Sequence, residues 1–352
     1  MKITAKIIKG IKYKPLLCRK SNHFKFKELE KALSKGEATF FLDIDKQNQL
    51  AVSWWVSAKR TRSYPYARVY DSYGFSGKKV TIIPIFKDEG AGGDRDFLQW
   101  DTLSLMSLLK VYVIIAYYKT ASKSTRYETK ITKQRFDISY LNSQIIELLK
   151  YQDDALHWNL DQISKINFIG NKAIKSYEAI SKKTNVKMHS KDKAFKRINE
   201  LMKDKETFLK TSRDSSFKAQ LRESVVTHLA ELVDGSKATL TISNYLGGNY
   251  YFTSDEAHIK KGKIFLTEAK NTKDGKLPSL EDIKDGLLKM ILFTNLENVE
   301  IDGKRYPKVP RLKLTSVSSS ELGKRELGIL KTLKKEGKVN GFKVEVNGKF
   351  IN

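Results

Sequence analysis

The segment 250–272 constrains the fold most strongly, because its sequence specifies two strands and the length of the turn between them. It contains YYFTSDEAHIKKGKIFLTEAKNT, in which β-branched and aromatic residues lie on both sides of Lys261-Gly262. If Lys261-Gly262 is a two-residue hairpin loop, Lys260 pairs with Lys263 and the register of both strands is set. The segment therefore predicts an antiparallel hairpin whose facing residues can be named in advance.

This register gathers ionisable side chains at one point of the hairpin. Asp255 is predicted to face Glu268, and facing Cβ atoms in such pairs lie about 4.5–5.5 Å apart. Glu268 and Lys270 are two residues apart, so they share one face of their strand. Glu256 is the alternative to Asp255 as the carboxylate that faces Glu268. The alternation of side chains along a strand, however, places Glu256 on the opposite face from Glu268.

Two close carboxylates repel each other, so their pairing is unfavourable unless a cation lies between them. Magnesium is bound through one or two carboxylates together with water and substrate phosphate oxygens. Bound magnesium polarises a phosphate and lowers the pKa of a bound water, while a nearby lysine stabilises developing charge or positions that water. We therefore expect Asp255 and Glu268 to hold Mg2+ and, with Lys270, to form a site for phosphodiester hydrolysis. The alternative is a solvent-exposed charged hairpin without a catalytic role.

The overall charge of the chain favours a polyanionic partner. Its 352 residues include 66 Lys and Arg against 40 Asp and Glu, which gives a formal net charge of +26 and a pI of about 9.7. The sequence has no GxxxxGK[ST], GxSxG or HExxH motif, so it indicates no NTP-driven motor, nucleophile elbow or zinc-protease helix. The single cysteine, Cys18, excludes a disulfide scaffold and a four-cysteine zinc site, and the five histidines follow no metal-ligand spacing.

No segment of the sequence is typical of a membrane span or a signal peptide. The longest apolar run, Val111–Tyr118, is shorter than the roughly 18 residues that a membrane helix needs. Lysines interrupt the N-terminal stretch MKITAKIIKGIKYKP, which contains no small-residue cleavage site. We therefore expect a soluble, cytoplasmic protein with no membrane partner.

Hydrophobic periodicity divides the chain into four segments. Strand-like runs dominate the first segment, helical spacing dominates the second, and helices and strands alternate in the third. The predicted segments are an N-terminal β-rich region (1–142), a helical basic segment (143–214), a catalytic core (215–320) and a C-terminal helix with a β-meander (321–352).

Local signals within these segments give predictions that can be checked one by one. Ala67–Tyr73 is predicted to be a strand, and 215–233 a helix with its leucines on one stripe. Ser279 and Ser320 are the expected N-caps of two later helices. Two Asn-Gly turns within 340–348 predict a small β-meander.

The order of these elements resembles the core of the PD-(D/E)xK nuclease superfamily, which is helix, three strands, helix and strand. The matching elements here are helix 215–233, strands 238–243, 250–259 and 264–270, helix 279–293 and strand 312–317. The resemblance implies metal-binding and catalytic roles for Asp255, Glu268 and Lys270, with Glu223 of the first helix as a further acid, although Ser254 stands where family members carry proline. The expected fold is α/β, with a restriction-endonuclease-like core (a mixed central sheet flanked by helices), an added N-terminal β-rich region and a helical middle.

Within this superfamily the chain resembles a type II restriction endonuclease in its size, its single catalytic core with large additions, its basic charge and the run EAKNTKDGKLPSLEDIKDGLLKMILFTNL. The resemblance implies Mg2+-dependent, sequence-specific hydrolysis of phosphodiester bonds in double-stranded DNA by a homodimer. It also implies a separate cognate DNA methyltransferase, because the chain contains no NPPY or FxGxG motif. The alternatives are another nuclease of the superfamily, acting in repair or on particular DNA structures, and a non-catalytic DNA-binding protein.

Two basic stretches are candidates for contacts with DNA. The first stretch lies within residues 59–68, where basic residues alternate with tyrosines. Arginine can contact guanine in the major groove, and other side chains can bind phosphate. The second, 182–197, contains seven basic residues and one acid. The residues proposed for DNA binding are Lys59, Arg60, Arg62, Tyr64, Arg68, Lys182, Lys183 and Lys187. The alternatives are a basic edge strand packed on its tyrosines and a solvated helix end.

A second, degenerate nuclease-like core is a further hypothesis for residues 71–118. Asp71 and Lys87 would take the positions of the first acid and the lysine, but Ile85 stands where the second acid is needed. The acids that follow Lys87 could substitute only by distorting the strand register. Such a core would therefore lack its second carboxylate and would bind a metal ion poorly.

Overall fold

The computed structural model of the chain describes residues 2–58, 63–202, 236–244, 249–273, 276–316 and 322–352. Helices and strands alternate along it, and its sheets contain both parallel and antiparallel neighbours. The chain therefore belongs to the mixed α/β class, as predicted. None of the described helices is both long and apolar enough to cross a membrane.

The chain folds into two compact units, each assembled from separate stretches of sequence. Unit 1 consists of Met1–Lys20, Ser63–Ser76 and Ser216–Asn352, and unit 2 consists of Ser21–Arg62 and Gly77–Ser215. These units differ from the four contiguous segments expected from the sequence. Periodicity reports local structure, whereas the units depend on which distant stretches pack together.

The strands, in chain order, are β1 (Lys2–Ile7), β2 (Asn22–Lys25), β3 (Thr39–Asp43), β4 (Gln49–Trp54), β5 (Lys79–Pro84), β6 (Phe86–Asp88), β7 (Arg95–Phe97), β8 (Val111–Ala116), β9 (Tyr118–Lys123), β10 (Ile131–Phe136), β11 (Ser236–Asn244), β12 (Asn249–Lys260), β13 (Lys263–Thr272), β14 (Glu297–Ile301), β15 (Lys304–Arg305), β16 (Lys308–Ser316), β17 (Lys343–Val346) and β18 (Lys349–Phe350). The described α-helices are α1 (Leu29–Ser34), α2 (Tyr64–Ser72), α3 (Trp100–Leu108), α4 (Ile138–Lys150), α5 (Ala155–Ser164), α6 (Ile166–Thr184), α7 (Lys191–Met202), α8 (Leu280–Thr294) and α9 (Lys324–Asn340). A 3-10 helix covers Phe26–Glu28.

A nine-stranded sheet forms the centre of unit 1, in the order β15-β14-β1-β11-β12-β13-β16-β17-β18. β12 pairs antiparallel with both β11 and β13, and β13 pairs in parallel with β16. β1 pairs in parallel with β11, so a strand from the start of the chain extends the sheet. Ile3, Ala5 and Ile7 of β1 are buried in alternation with exposed residues, as expected for a strand with one face on a core.

Helix α8 connects β13 to the later strands of this sheet. Ser279 is its N-cap, because the Asp282 N–H donates to Ser279 Oγ at 3.1 Å, and this prediction is confirmed. Ile283, Leu287 and Ile291 are fully buried at helical spacing. The apolar stripe therefore directs one side of α8 into the core of unit 1.

The prediction of a strand over Ala67–Tyr73 is wrong, because these residues belong to α2. Pro65 lies in the first turn of the helix, where the N–H that proline lacks would have no intrahelical partner. Tyr66, Val69 and Tyr70 are buried at spacings of three and four residues. Burial against the core of unit 1 thus overrides the β-propensity of valine and tyrosine.

The C-terminal turns differ partly from the prediction. Ser320 lies outside the described residues, and α9 has Gly323 as its N-cap. Asn340-Gly341 ends α9, with Gly341 at a left-handed φ of 75°, instead of joining two strands. Asn347-Gly348 joins β17 to β18 with positive φ at both residues, as predicted for a hairpin turn.

Unit 2 contains a five-stranded sheet in the order β2-β3-β4-β5-β8. Its edge strand β8 is covered by α5, whose side-chain amides accept backbone hydrogen bonds that a further strand would otherwise take. Asn159 Oδ1 accepts from the Val113 N–H at 2.7 Å, and Gln162 Oε1 accepts from the Ile115 N–H at 3.2 Å. Helices α4 to α7 confirm the predicted helical middle as far as Met202.

Candidate active site

The β12–β13 hairpin has the turn and the register predicted from its sequence. Lys261-Gly262 has positive φ at both positions, 49° and 70°, as a type I′ turn requires. Lys260 pairs with Lys263, and the ladder continues to the pair of Glu256 with Thr267. The predicted register is therefore confirmed up to the residue that follows Asp255.

A β-bulge lies in β12 at the position of Asp255. Ser236 pairs with Ala257 whereas Ala238 pairs with Ser254, so β12 has one residue more than β11 between these pairs. Bulges redirect side chains, and they are common next to active sites. The bulge explains why the β12–β13 ladder ends beside Asp255.

Hydrogen bonds from both sides hold this part of β12 against β13. The buried Ser254 hydroxyl donates to the Thr267 carbonyl oxygen at 2.9 Å. Asp255 Oδ2 accepts from the Ala269 N–H at 2.9 Å, which places the Asp255 carboxylate beside Glu268. The Ser254 side chain thus contributes a hydrogen bond that a proline at this position could not make.

Glu268 and Lys270 form the centre of an ion network on the face of the sheet covered by α8. Lys270 Nζ lies 3.0 Å from Glu268 Oε1, and Lys289 Nζ of α8 lies 3.0 Å from Glu268 Oε2. Lys270 is also paired with Asp285 of α8. Only 4% of the Glu268 side chain is exposed. The prediction that Glu268 and Lys270 share one face is confirmed.

The ionisation states in this network follow from burial and from the balance of nearby charges. Burial and the charge of Glu268 raise the pKa of Asp255 from 3.8 to about 6. Burial alone would raise the pKa of Glu268, but Lys289 and Lys270 outweigh it and lower that pKa. Burial alone would lower the pKa of Lys270, but Glu268 and Asp285 outweigh it and raise that pKa. Burial also raises the pKa of Asp285, although Lys270 contacts its carboxylate. Of the three carboxylates, Asp255 is the one that no described ammonium group contacts in an ion pair.

Glu256 belongs to a different ion network on the opposite face of the same strands. Its carboxylate lies 3.0 Å from Arg311 Nη2 and 2.8 Å from Lys313 Nζ. Arg311 Nη1 in turn lies 2.8 Å from Glu345 Oε2. The alternation that favoured Asp255 over Glu256 as the partner of Glu268 is thus confirmed.

Two members of the cluster, Asp285 and Lys289, were not predicted from the sequence, and both come from α8. They lie four residues apart and so share one side of the helix. Both are charged residues in a mostly apolar helix, and both are largely buried. The exposed fraction is 12% for the Asp285 side chain and 21% for the Lys289 side chain. An acid and a lysine at this spacing, in the helix after an acid-x-lysine strand, were the available signal.

Helix α8 is held by contacts with the sheet and with α2. A Cβ on Gly286 would lie 2.6 Å from Leu312 Cδ1 and 3.5 Å from Lys270 Cε, so the helix approaches the sheet more closely than alanine would allow. Lys284 of α8 is paired with Asp71 of α2, and both side chains are buried. These contacts position Asp285 and Lys289 over β13.

The structure contradicts the hypothesis of a second core within 71–118. Asp71 lies in a helix of unit 1, where its carboxylate is paired with Lys284. Lys87 lies in β6 of unit 2, where its Nζ is 2.6 Å from Glu89 Oε1. Because Asp71 is helical, the two residues do not form the acid and lysine of adjacent strands.

The other predicted site residues lie in α2, at the end of α6 or outside the described residues. Outside the described residues are Lys59, Arg60, Arg62 and Glu223. Tyr64 and Arg68 lie on α2, with the Arg68 guanidinium 4.9 Å from the centre of the Tyr64 ring, so the alternative of an edge strand is wrong. Lys182 and Lys183 lie in the last turn of α6 and Lys187 follows it; all three are exposed.

The donor set of the cluster fits magnesium. Among the described residues, no group of three or more His, Cys, Asp or Glu side chains is arranged to hold a metal ion. Asp255 and Glu268 supply two carboxylates, and magnesium is commonly bound by one or two, with water and substrate oxygens as the other ligands. The raised pKa of Asp255 marks a place where a cation would relieve the repulsion between the two groups.

The chain matches no protein-family model, and comparisons with curated proteins and with solved structures give no significant match.

Proposed function

We propose that the protein is a Mg2+-dependent nuclease of the type II restriction endonuclease class, with Asp255, Glu268 and Lys270 in its active site. The observation that carries the proposal is the unbalanced charge of the cluster beneath α8. Among the residues that the structure describes, three carboxylates, those of Asp255, Glu268 and Asp285, share the two ammonium groups of Lys270 and Lys289. A structural ion network has no need of a surplus negative charge, whereas a divalent cation would neutralise it.

The topology of unit 1 also supports this proposal. The three consecutive antiparallel strands β11, β12 and β13 are followed by α8. The short strands β14 and β15 come next, at one edge of the sheet, and then β16, which is parallel to β13. This order agrees with the three strands, helix and strand of a restriction-endonuclease-like core. The acids and the lysine lie on the central strands of that arrangement, under the helix.

Each residue of the cluster has a distinct role in the proposed reaction. Asp255 and Glu268 would hold magnesium, which when bound would polarise the scissile phosphate and lower the pKa of a bound water. Lys270 is kept protonated by Glu268 and Asp285, so its ammonium would donate hydrogen bonds to an oxygen that gains negative charge. Lys289 binds the second oxygen of Glu268 and so orients that carboxylate.

The charge of the whole chain supports DNA as the substrate. A net charge of +26 attracts a polyanion and speeds its association at low ionic strength. The proposal includes sequence-specific cleavage of double-stranded DNA by a homodimer, because a two-fold symmetric protein matches a palindromic site. It also includes a separate methyltransferase that protects the host DNA in the cytoplasm.

Digestion of plasmid and phage DNA by the purified protein, in Mg2+ and in EDTA, tests this proposal. Lys270→Ala is expected to lower the cleavage rate at least about 100-fold while DNA binding in a gel shift is kept, because the lysine acts on charge formed during the reaction. Lys313→Ala is the matched control. Lys313 lies on the neighbouring strand β16 and pairs with Glu256 on the other face, so cleavage is expected to stay within about threefold of wild type.

The pattern of products separates the alternatives. Discrete fragments that require both Mg2+ and Lys270 would support a restriction endonuclease. A smear, or cleavage confined to branched or damaged DNA, would identify another nuclease of the same superfamily. Intact DNA with a salt-sensitive gel shift that Lys270→Ala leaves unchanged would contradict catalysis and favour a non-catalytic DNA-binding protein.

A further inference from the structure

Unit 2 contains a cavity of about 430 Å³ that has no part in the proposed cleavage site. It lies between the β6–β7 hairpin, the C-terminal half of α6 and the segment 187–191. Its volume falls within the range of about 300–1,000 Å³ that is typical of small-molecule sites. The cavity therefore has room for a ligand of the size of a nucleotide.

Two hydrogen bonds to backbone carbonyl oxygens fix the start of the segment 187–191, which forms part of the cavity wall. Ser181 Oγ donates to the Val186 carbonyl oxygen at 2.7 Å, just after Asn185 ends α6 in the left-handed conformation. The Ala91 N–H donates to the Lys187 carbonyl oxygen at 2.8 Å. The walls of the cavity are thus held in place by the fold of unit 2.

A buried carboxylate and a histidine face each other in this wall. Asp88 is 1% exposed, and its Oδ1 accepts from the Gly90 N–H at 2.9 Å and lies 2.8 Å from His189 Nδ1. Its Oδ2 lies 3.4 Å from Arg95 Nε. An ionised carboxylate only accepts, so we assign the proton of neutral His189 to Nδ1. Nε2 of His189, which has no partner among the described residues, then remains able to accept a hydrogen bond from a ligand.

The rim of the cavity carries a surplus of positive charge. Asp88 is paired with Arg95 and hydrogen-bonded to His189, and Glu178 is paired with Lys191 at 2.7 Å. The two further lysines that line the cavity, Lys182 and Lys187, form no ion pair within the described part of the chain. An anionic group at this rim would therefore meet two ammonium groups that are in contact with no carboxylate of the described residues.

Another part of the cavity lining is apolar. It is formed by Phe86, Ile174, Tyr177 and Met188, with the Phe86 and Tyr177 rings stacked at a centroid distance of 5.1 Å. A ligand that satisfies the whole cavity needs an apolar flat part, a hydrogen-bond donor and an anionic group. A nucleobase joined to a phosphate has all three.

We propose that this cavity binds a nucleoside monophosphate unit, with its base against the apolar wall and its phosphate between Lys182 and Lys187. His189 Nε2 accepts a hydrogen bond from the base. Such a unit can be a free nucleotide or a nucleotide turned out of a DNA duplex, and both present the same chemistry. This nucleotide site is separate from the proposed DNA-cleavage site at Asp255, and nucleotide binding does not depend on DNA cleavage.

Binding to the full-length protein in EDTA tests the proposal without any cleavage. Calorimetric titrations would compare a deoxynucleoside monophosphate with its nucleoside and with inorganic phosphate, and the monophosphate is expected to bind at least about tenfold more tightly than either. The double variant Lys182→Ala, Lys187→Ala is expected to weaken this binding at least about tenfold. Lys175→Ala is the matched control with a change below about twofold, because Lys175 is exposed on the same helix but does not line the cavity.

A duplex that contains 2-aminopurine distinguishes the two sources of the nucleotide. A rise in fluorescence on binding, which is lost in the double variant, would identify a nucleotide turned out of DNA. Binding of the free monophosphate without that rise would identify a free nucleotide. The proposal is overturned if the duplex gives no rise in fluorescence and the free monophosphate does not bind at millimolar concentration. It is also overturned if inorganic phosphate binds as well as the nucleotide, or if the double variant binds the nucleotide as wild type does. Lys270→Ala is expected to leave this binding unchanged, so failure here and failure of the nuclease proposal are distinguishable.

Discussion

The two faces of the sheet in unit 1 carry ion networks that are similarly buried but differently balanced. On the face away from α8, Glu256 and Glu345 meet Arg311 and Lys313, so two carboxylates face two cations. On the α8 face, three carboxylates share two lysines among the described residues, and the pKa values of both Asp255 and Asp285 are raised. The two networks lie on the same strands, so strand position alone does not explain the difference.

The difference shows how one sheet can hold both a network that is balanced and a network that is not. A balanced network is satisfied within the protein, because each charge has a counter-charge in contact. A network with a surplus buried carboxylate is satisfied only when it binds a proton or a cation. Substitutions on the two faces should therefore change stability in opposite directions, and three experiments test this contrast.

Glu256→Gln is expected to produce the largest change, a loss of about 3 kcal/mol in the free energy of unfolding. The substitution leaves Arg311 and Lys313 with too little counter-charge inside the sheet. Urea unfolding followed by circular dichroism at pH 8 would measure the loss. A change below about 0.5 kcal/mol would show that solvent screens this network and that the contrast between the faces is unfounded.

Asp255→Asn is expected to raise the free energy of unfolding in EDTA at pH 8 by about 2 kcal/mol. The pKa of Asp255 is raised from 3.8 to about 6 in the folded protein, so the folded state binds this proton more tightly than the unfolded chain does. Its contribution to stability is complete below pH 4 and is lost as the pH rises towards about 6 and beyond. The gain from asparagine should therefore be present at pH 8 and nearly absent at pH 4.

Magnesium should reverse the order of stability of the wild-type protein and the Asp255→Asn variant. Wild type is expected to gain stability with increasing MgCl2 at pH 8, because only the folded state presents Asp255 and Glu268 together. Asp255→Asn is expected to gain little. If asparagine destabilises the protein at pH 8 in EDTA, the surplus charge on the α8 face is not real.

Gly286→Ala is expected to have the smallest effect, a loss of about 1 kcal/mol together with slower DNA cleavage. The new methyl group would meet Leu312 and the stem of Lys270, so α8 would move away from the cluster. Gly328→Ala is the matched control in α9. No atom lies within 4 Å of a Cβ at Gly328, so alanine should raise stability by about 0.5–1 kcal/mol there. Equal effects of the two substitutions would show that the approach of α8 does not position the site.

Much of the candidate site was predictable from local sequence. The Lys261-Gly262 turn determines the pairing of its flanking residues, and alternation then places Glu268 and Lys270 on one face and Glu256 on the other. These rules need only the geometry of a strand and of a two-residue turn. The helix cap at Ser279 was predictable for the same reason.

Features that depend on distant contacts were not predictable in this way. Ala67–Tyr73 has the composition of a strand but is helical, because its tyrosines and valine are buried in unit 1. The bulge at Asp255 depends on pairing with β11, which no pattern within β12 reveals. The lysine and the acid that α8 adds to the cluster could be placed only once the helix was seen against β13.

The sequence by itself determined the mixed α/β class, the hairpin register and the meeting of an acid and a lysine on one face of β13. These depend on interactions between near neighbours, which act in the same way in any fold. The tertiary structure alone decided the composition of the two units, the charge balance of each face of the sheet and the lysine-rimmed cavity of unit 2. Charge balance and cavities arise where distant segments pack together, and burial there changes the free energy of every ionisable group.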